Sequence, residues 1–232
     1  MGKKLSIIIP VYNEEKTLSE IVKRVKSVVF DGGITKEIII VNDASVDGTR
    51  KIADSMQKDC VVIHHEKNSG KGSSVIDGLK ASTGDFVVIQ DADLEYDPVE
   101  INLLLGPILK GDADVVYGSR LATTRPHRIM YFWHYAGNKF LTTFSNIFTN
   151  LNLTDMETCY KMLTRRVVDD IKNKLVSKRF GIEPEITARI KKYRIFEVGI
   201  SYSGRTYEEG KKINWKDGLA TFWHIVRFNL FS

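Results

Sequence analysis

Residues 85–98 read Asp-Phe-Val-Val-Ile-Gln-Asp-Ala-Asp-Leu-Glu-Tyr-Asp-Pro, a short β-branched run that breaks abruptly into alternating carboxylates. Apolar on consecutive positions and only about five residues long, Asp85–Ile89 has the pattern of a strand buried on both faces. The same pattern recurs at Leu5–Ile9, Glu37–Val41, Cys60–His64 and Asp114–Tyr117. Between the runs lie helical spacings. Leu18, Ile21, Val22, Val25 and Val28/Val29 fall at three- and four-residue intervals, and Val75 and Leu79 continue the theme. Ser45-Val46-Asp47-Gly48 and Asn68-Ser69-Gly70 supply turn and cap chemistry ahead of helices, and Asp97-Pro98 suits a helix start. Strands alternating with helices predict right-handed βαβ units, hence an α/β fold on a mostly parallel sheet with flanking helices.

The 232 residues make one large domain, 43% apolar and 27% charged, which excludes disordered and fibrous classes. Two cysteines, Cys60 and Cys159, support neither a disulfide framework nor a cysteine zinc site and fit a reducing compartment. No stretch reaches the roughly 18 uninterrupted apolar residues of a spanning helix, so a cytoplasmic protein is expected. The net charge of +5 conceals an asymmetry: residues 1–118 carry 14 basic against 19 acidic side chains, and residues 119–232 carry 20 against 10. A basic half suits an anionic partner.

In an open parallel sheet, ligands bind beyond the carboxyl ends of the strands. There the sequence places Pro10-Val11-Tyr12-Asn13-Glu14, Asn42-Asp43-Ala44, Lys67-Asn68-Ser69-Gly70-Lys71-Gly72, Asp91-Ala92-Asp93-Leu94-Glu95 and Gly118-Ser119-Arg120. The first turn has no G-x-G-x-x-G, and Gly70-Lys71-Gly72 lacks both the leading Gly and the following Ser/Thr of a P-loop. Asp91, Asp93 and Glu95 alternate, so an extended backbone would turn all three carboxylates to one side. Such a cluster is self-repelling unless a hard cation, Mg²⁺ or Mn²⁺, neutralises it. Tyr96 stands where an EF-hand loop needs Gly, which excludes that calcium site.

These motifs, in this order, resemble glycosyltransferase family 2, and the resemblance continues through Gly118-Ser119-Arg120, Thr154-Asp155-Met156-Glu157 and Ser203-Gly204-Arg205. It is closest to the dolichyl- and undecaprenyl-phosphate sugar synthases. It implies a GT-A fold and an inverting, metal-dependent transfer of a hexose from a UDP- or GDP-sugar to a polyprenyl phosphate. By the resemblance, Pro10, Tyr12, Glu14 and Asp43 hold base and ribose, Lys71 lies beside the donor, and Asp91 faces the ribose. Asp93 and Glu95 ligate the metal, Arg120 and Arg205 sit on phosphates with Lys211 and Lys212 extending the clamp, and Asp155 lies near the acceptor. Glu183 and Glu185 match a further acidic segment of the family. Two positions depart from its pattern: Asn42-Asp43-Ala44 replaces Asp-Asp-Gly, and Glu95 replaces a common Gln. A glycan hydroxyl as acceptor, and a non-catalytic nucleotide-sugar-binding protein, are the competing readings.

Two segments are aromatic beyond what a core requires: Ile129–Phe148, with Phe140, Phe144 and Phe148 on one helical face, and the C-terminal stretch. In the latter, Leu219, Phe222, Trp223, Val226 and Leu230 share a face, with Lys216 and Arg227 nearby. The division expected is a catalytic domain over 1–213 and an interfacial amphipathic helix over 214–232. It would seat the protein peripherally on the inner membrane face, with a second copy or a membrane-spanning partner as other uses of the same surface.

Overall fold

The computed structural model describes residues 2–122, 124–205 and 215–231, with only the backbone at 215–217. Seven strands form one sheet in the order β3-β2-β1-β4-β6-β5-β7. They are β1 (Lys4–Val11), β2 (Thr35–Asn42), β3 (Val61–His64), β4 (Phe86–Ile89), β5 (Val115–Ser119), β6 (Lys161–Thr164) and β7 (Ile195–Gly199). β3, β2, β1 and β4 run parallel, as does β7 beside β5. β6 alone is antiparallel to both its neighbours. All five runs read as strands are strands. β6 and β7 are additions: each is only four or five residues long and lacks the continuous apolar pattern.

The helices are α1 (Leu18–Ser27), α2 (Thr49–Ser55), α3 (Lys71–Ala81), α4 (Ile101–Leu109), α5 (Phe132–Thr149), α6 (Arg165–Ile171), α7 (Ile182–Ile190) and α8 (Trp215–Leu230). The α1 face of Leu18, Ile21, Val22 and Val25 is buried as its spacing predicts. The helix stops at Ser27, however, so Val28 caps it and Val29 points to solvent. Asp97 caps the turn that leads into α4 by accepting a bond from the Val99 N–H at 3.0 Å, with Pro98 following it.

α8 lays Thr221, Ile225 and Phe228 inward, against α5 and α7. Phe222 stacks on Phe144, with ring centroids 4.4 Å apart. Leu219, Trp223 and Leu230 remain exposed, as do Phe132, Trp133 and Phe140 of α5. Packing on the core thus claims one face of α8 and leaves the other in solvent. The boundary at 213/214, Lys211 and Lys212, and the Lys216 side chain lie outside the described residues. No helix among the described residues is long and apolar enough to cross a membrane.

Candidate active site

The parallel strands end in register, Val11 opposite Asn42 and Asn42 opposite His64, so their following loops meet along one edge. Two of these loops turn through left-handed backbone: Asn13 has φ 54° and Ala44 φ 55°. Asn13 and Ser45 cross-brace them, with the Asn13 N–H on Ser45 Oγ at 3.0 Å and the Val46 N–H on Asn13 Oδ1 at 2.9 Å. Asp43 is buried behind this pair. Its carboxylate accepts the Ser69 and Gly70 N–H groups at 2.8 and 2.7 Å and lies 2.7 Å from His65 Nδ1. In this arrangement Asp43 fixes the glycine-containing loop.

That loop delivers Lys71 to the first position of α3. Lys71 Nζ lies 2.8 Å from Asp91 Oδ1 and 3.6 Å from Glu183 Oε1. Burial opposes its charge, but Asp91, Cys159 and Glu183 outweigh that cost and hold its pKa well above the usual lysine value. Glu183 in turn pairs with Lys161, a fully buried lysine that also donates to the Thr158 carbonyl. Glu185 accepts the N–H groups of Val176 and Ser177 and belongs to the scaffold.

The carboxylate run does not stay extended. Leu94 adopts φ 65°, which turns the chain, and the three acids do not all take the same partner. Asp91 goes to Lys71, whereas Asp93 and Glu95 meet Arg205. Glu95, read from sequence as a metal ligand, accepts the Tyr202 hydroxyl at 2.6 Å and the Arg205 N–H at 2.7 Å, and so anchors the 202–205 segment. Arg205, read as a phosphate ligand, holds its guanidinium 3.3 Å from Asp93, 3.5 Å from Glu95 and 3.7 Å from Glu14. Glu14 also accepts the Thr17 hydroxyl at 2.8 Å.

Burial and the neighbouring Asp91 and Glu95 push the Asp93 carboxyl up to about 7, with Arg205 pulling the other way. Among the described residues no group of three or more His, Cys, Asp or Glu is placed to hold a metal ion unaided. A buried carboxylate crowded by like charge nevertheless fits a hard divalent ion completed by substrate phosphates, since Mg²⁺ is commonly held by one or two carboxylates plus phosphate oxygens. Asp93 is a carboxylate of this kind.

Arg120 and Asp155, assigned separate tasks from sequence, are brought against each other. Arg120 Nε and NH2 lie 2.6 and 2.7 Å from the two Asp155 oxygens, and the guanidinium sits 5.2 Å from the Tyr202 ring centre. Asp155 is fully buried. Pro10 is partly buried at the end of β1, and Tyr12 is 37% exposed at its loop. Beyond Arg120 opens a cavity of about 150 Å³, lined by Arg120, Arg128, Arg205, His134, Tyr131 and Tyr202 among others. Sequence reasoning missed Arg128 and His134, because neither stands in a motif; the only signal was the basic surplus of the second half.

A sheet with this strand order, whose carboxyl edge gathers a lysine-paired Asp91, a crowded Asp93 and an arginine-lined cavity, is a GT-A fold with the site of a glycosyltransferase. The chain belongs to glycosyl transferase family 2, whose sequence profile matches residues 6–172. It is 26% identical to the UDP-N-acetylglucosamine–dolichyl-phosphate N-acetylglucosaminyltransferase of Methanococcus voltae, over 98% of this chain and 97% of that protein. It is 29% identical to the low-salt glycan biosynthesis hexosyltransferase Agl6 of Haloferax volcanii, over 97% of this chain but 53% of that protein. The dolichol-phosphate mannosyltransferase of Pyrococcus furiosus is 38% identical over 50% of this chain and 33% of its own length. The chain therefore spans only about half and a third of those last two relatives. In structure it superimposes on glucosyl-3-phosphoglycerate synthase of Mycobacterium tuberculosis, crystallised with Mn²⁺ and UDP. The TM-score is 0.75 at 18% identity, over 98% of this chain and 80% of that one.

Proposed function

We propose that the protein transfers a hexose from a UDP- or GDP-sugar to a polyprenyl phosphate at a membrane surface, with inversion at the anomeric carbon and with Mg²⁺ or Mn²⁺. The observation that carries this reading is the cavity beside Arg205. Its lining combines three guanidinium groups, Arg120, Arg128 and Arg205, with the apolar Ile129, Met130 and Tyr131. Such a cavity suits an amphiphile with a phosphate head. Phe132 and Trp133 follow directly on Tyr131 in the chain and are 68% and 81% exposed. The exposed aromatic faces of α5 and α8 form a patch of the kind that marks a membrane or protein contact.

The donor lies across the ends of β1 to β4, against Pro10, Tyr12, Glu14, Lys71 and Asp91, with Asp43 holding the loop that carries Lys71. Asp93 holds the divalent ion, which when bound neutralises charge on the departing diphosphate. Arg205, already within reach of Asp93, adds a guanidinium to the same charge. An acceptor phosphate oxygen bonds to the anomeric carbon as the bond to the nucleoside diphosphate breaks. A phosphomonoester has its second pKa near about 6 and is largely dianionic at neutral pH, so no protein base has to remove a proton. Asp155 accordingly serves to position Arg120.

The test is transfer itself. Purified protein receives Mn²⁺ or Mg²⁺, undecaprenyl or dolichyl phosphate in detergent, and labelled UDP-glucose, UDP-N-acetylglucosamine or GDP-mannose in turn. Label passing to the organic phase with one donor is the expected result. Label appearing only on a soluble glycan acceptor would overturn it.

A further inference from the structure

The antiparallel strand β6 brings one more acid to the site. Lys161 lies opposite Tyr117 and Met162 opposite Val88, so the segment 154–160 enters at the same sheet edge that carries Asp91 and Arg120. Most carboxylates gathered there have a cation or an N–H. Asp91 has Lys71, Asp93 and Glu95 have Arg205, Asp155 has Arg120, and Glu183 has Lys161. Glu157 has neither among the described residues, whereas Glu183 Oε1, which also lacks a hydrogen bond, lies 3.6 Å from Lys71 Nζ. The Glu157 Oε1 is enclosed and has no hydrogen-bond partner among the described residues, although part of the residue still reaches the surface. The charged groups that act on it are Glu183, Lys161, Arg120 and Asp155, and both cations are already engaged by other carboxylates.

An enclosed carboxylate oxygen without a donor costs about 1–3 kcal/mol or more, and such a group in a folded protein calls for an explanation. When ionised it can only accept, so its missing partner is an O–H or N–H. In its ionised form the carboxylate repels a phosphate. Between a donor diphosphate on the Lys71–Asp93 side and an acceptor phosphate on the Arg120–Arg128 side, the one neutral, donor-rich group is the sugar being transferred. We propose that Glu157 reads the hexose, its carboxylate accepting a hydrogen bond from a ring hydroxyl of the donor sugar. The proposal rests on the glycosyl-transfer reading above and adds to it a residue that sets sugar specificity. Burial and Glu183 push the Glu157 carboxyl up to about 7, as befits a group whose partner arrives with substrate.

The experiment uses the donor that the wild-type protein turns over, drawn from UDP-glucose, UDP-N-acetylglucosamine and GDP-mannose, together with its deoxy analogues lacking one ring hydroxyl each. The wild type should reject one analogue by about 10- to 100-fold in kcat/KM, the range of a hydrogen bond to a charged group. Glu157→Ala should lose a similar factor on the parent donor and no longer reject that analogue. Binding of bare UDP or GDP should be unchanged, which a merely structural role does not predict together with lost discrimination. A folded Glu157→Ala that rejects every analogue as strongly as the wild type would overturn the proposal. If Glu157→Ala does not fold, Glu157→Gln decides: discrimination cut several-fold supports the proposal, and full discrimination overturns it. Absence of transfer by the wild type from every donor would show that the underlying reading has failed, and the sugar contact would fall with it.

Discussion

The guanidinium of Arg120 grips Asp155 by both carboxylate oxygens, and the Arg120 backbone N–H adds a third bond at 3.0 Å. Behind them Glu197 accepts the Thr154 N–H at 2.9 Å and the Thr154 hydroxyl at 2.8 Å, fixing the segment that carries Asp155. Arg120 and Asp155 therefore act as one unit: the arginine faces the cavity because the aspartate holds it there. Burial opposes the arginine's charge, but Asp155 outweighs it and holds its pKa well above the usual value.

Removing the carboxylate leaves a buried guanidinium without its counter-ion. Asp155→Ala is expected to cost about 3 kcal/mol or more of stability, in the range for a broken buried pair. Urea unfolding monitored by tryptophan fluorescence measures it. A general base would behave differently: activity would vanish in Asp155→Asn with the unfolding midpoint unmoved.

Arg205 occupies the charge-compensating position that the divalent ion is proposed to take beside Asp93. Two cations at one carboxylate compete. At saturating UDP or GDP, whose phosphates complete the site, Arg205→Gln is expected to tighten Mn²⁺ binding several-fold, and Asp93→Asn to abolish it with the fold intact. Calorimetric titration with Mn²⁺ checks both, and unchanged affinity in both variants would remove Asp93 from the site.

Ala44 stands where the family commonly has glycine, and it holds φ 55°. Left-handed backbone costs a residue with a Cβ roughly 1–2 kcal/mol, part of which glycine gives back through its freer unfolded chain. Ala44→Gly is therefore expected to raise stability by about 0.5–1 kcal/mol, as a shift in thermal midpoint of a few degrees. A fall in the midpoint would show that the Ala44 methyl makes a contact worth more than the strain.

The parallel half of the fold was legible because its strands are buried on both faces and announce themselves as unbroken β-branched runs. β6 escaped because Lys161 opens it, a charge whose burial depends on Glu183, twenty-two residues away. Gly70-Lys71-Gly72 lacks the flanking residues of a P-loop, so its glycines have no explanation in the sequence alone. In the fold a Cβ at Gly72 would strike the Ser177 carbonyl and lie 2.8 Å from that of Arg179, so close backbone approach already requires glycine there. The acidic run was readable as a cluster but not as a turn, since nothing local to Leu94 signals a left-handed residue. The Arg120–Asp155 pair spans 35 positions, and spacing alone carries no information about it.

The proposed membrane seat rests on the exposed rings of α5 and α8. Phe132→Ser with Trp133→Ser removes two of the most exposed without touching the buried face of either helix. Co-sedimentation with anionic vesicles is expected to fall by about tenfold or more, given roughly 1.5–3 kcal/mol for each large apolar side chain buried. Turnover of a short-chain, water-soluble prenyl phosphate should be much less affected. Equal co-sedimentation of variant and wild type would point to a protein partner for that face.

Glu157 also ties the site to stability. Its carboxyl stands at about 7 in the folded protein against an ordinary 4.5, raised first by burial and then by Glu183. The folded state thus holds this proton more tightly than the unfolded chain. The contribution to stability is complete below about pH 4.5, declines as pH rises toward 7, and is level above that. Since one unit of pKa corresponds to about 1.4 kcal/mol, the loss across that window is on the order of 3 kcal/mol. Glu157→Gln cannot ionise, so it should match the wild type at pH 4 and exceed it at pH 8. Urea unfolding of both proteins at several pH values measures the difference. Parallel profiles would mean that Glu157 finds a donor in the free protein, and a saturating nucleotide-sugar would then leave the wild-type profile unchanged as well.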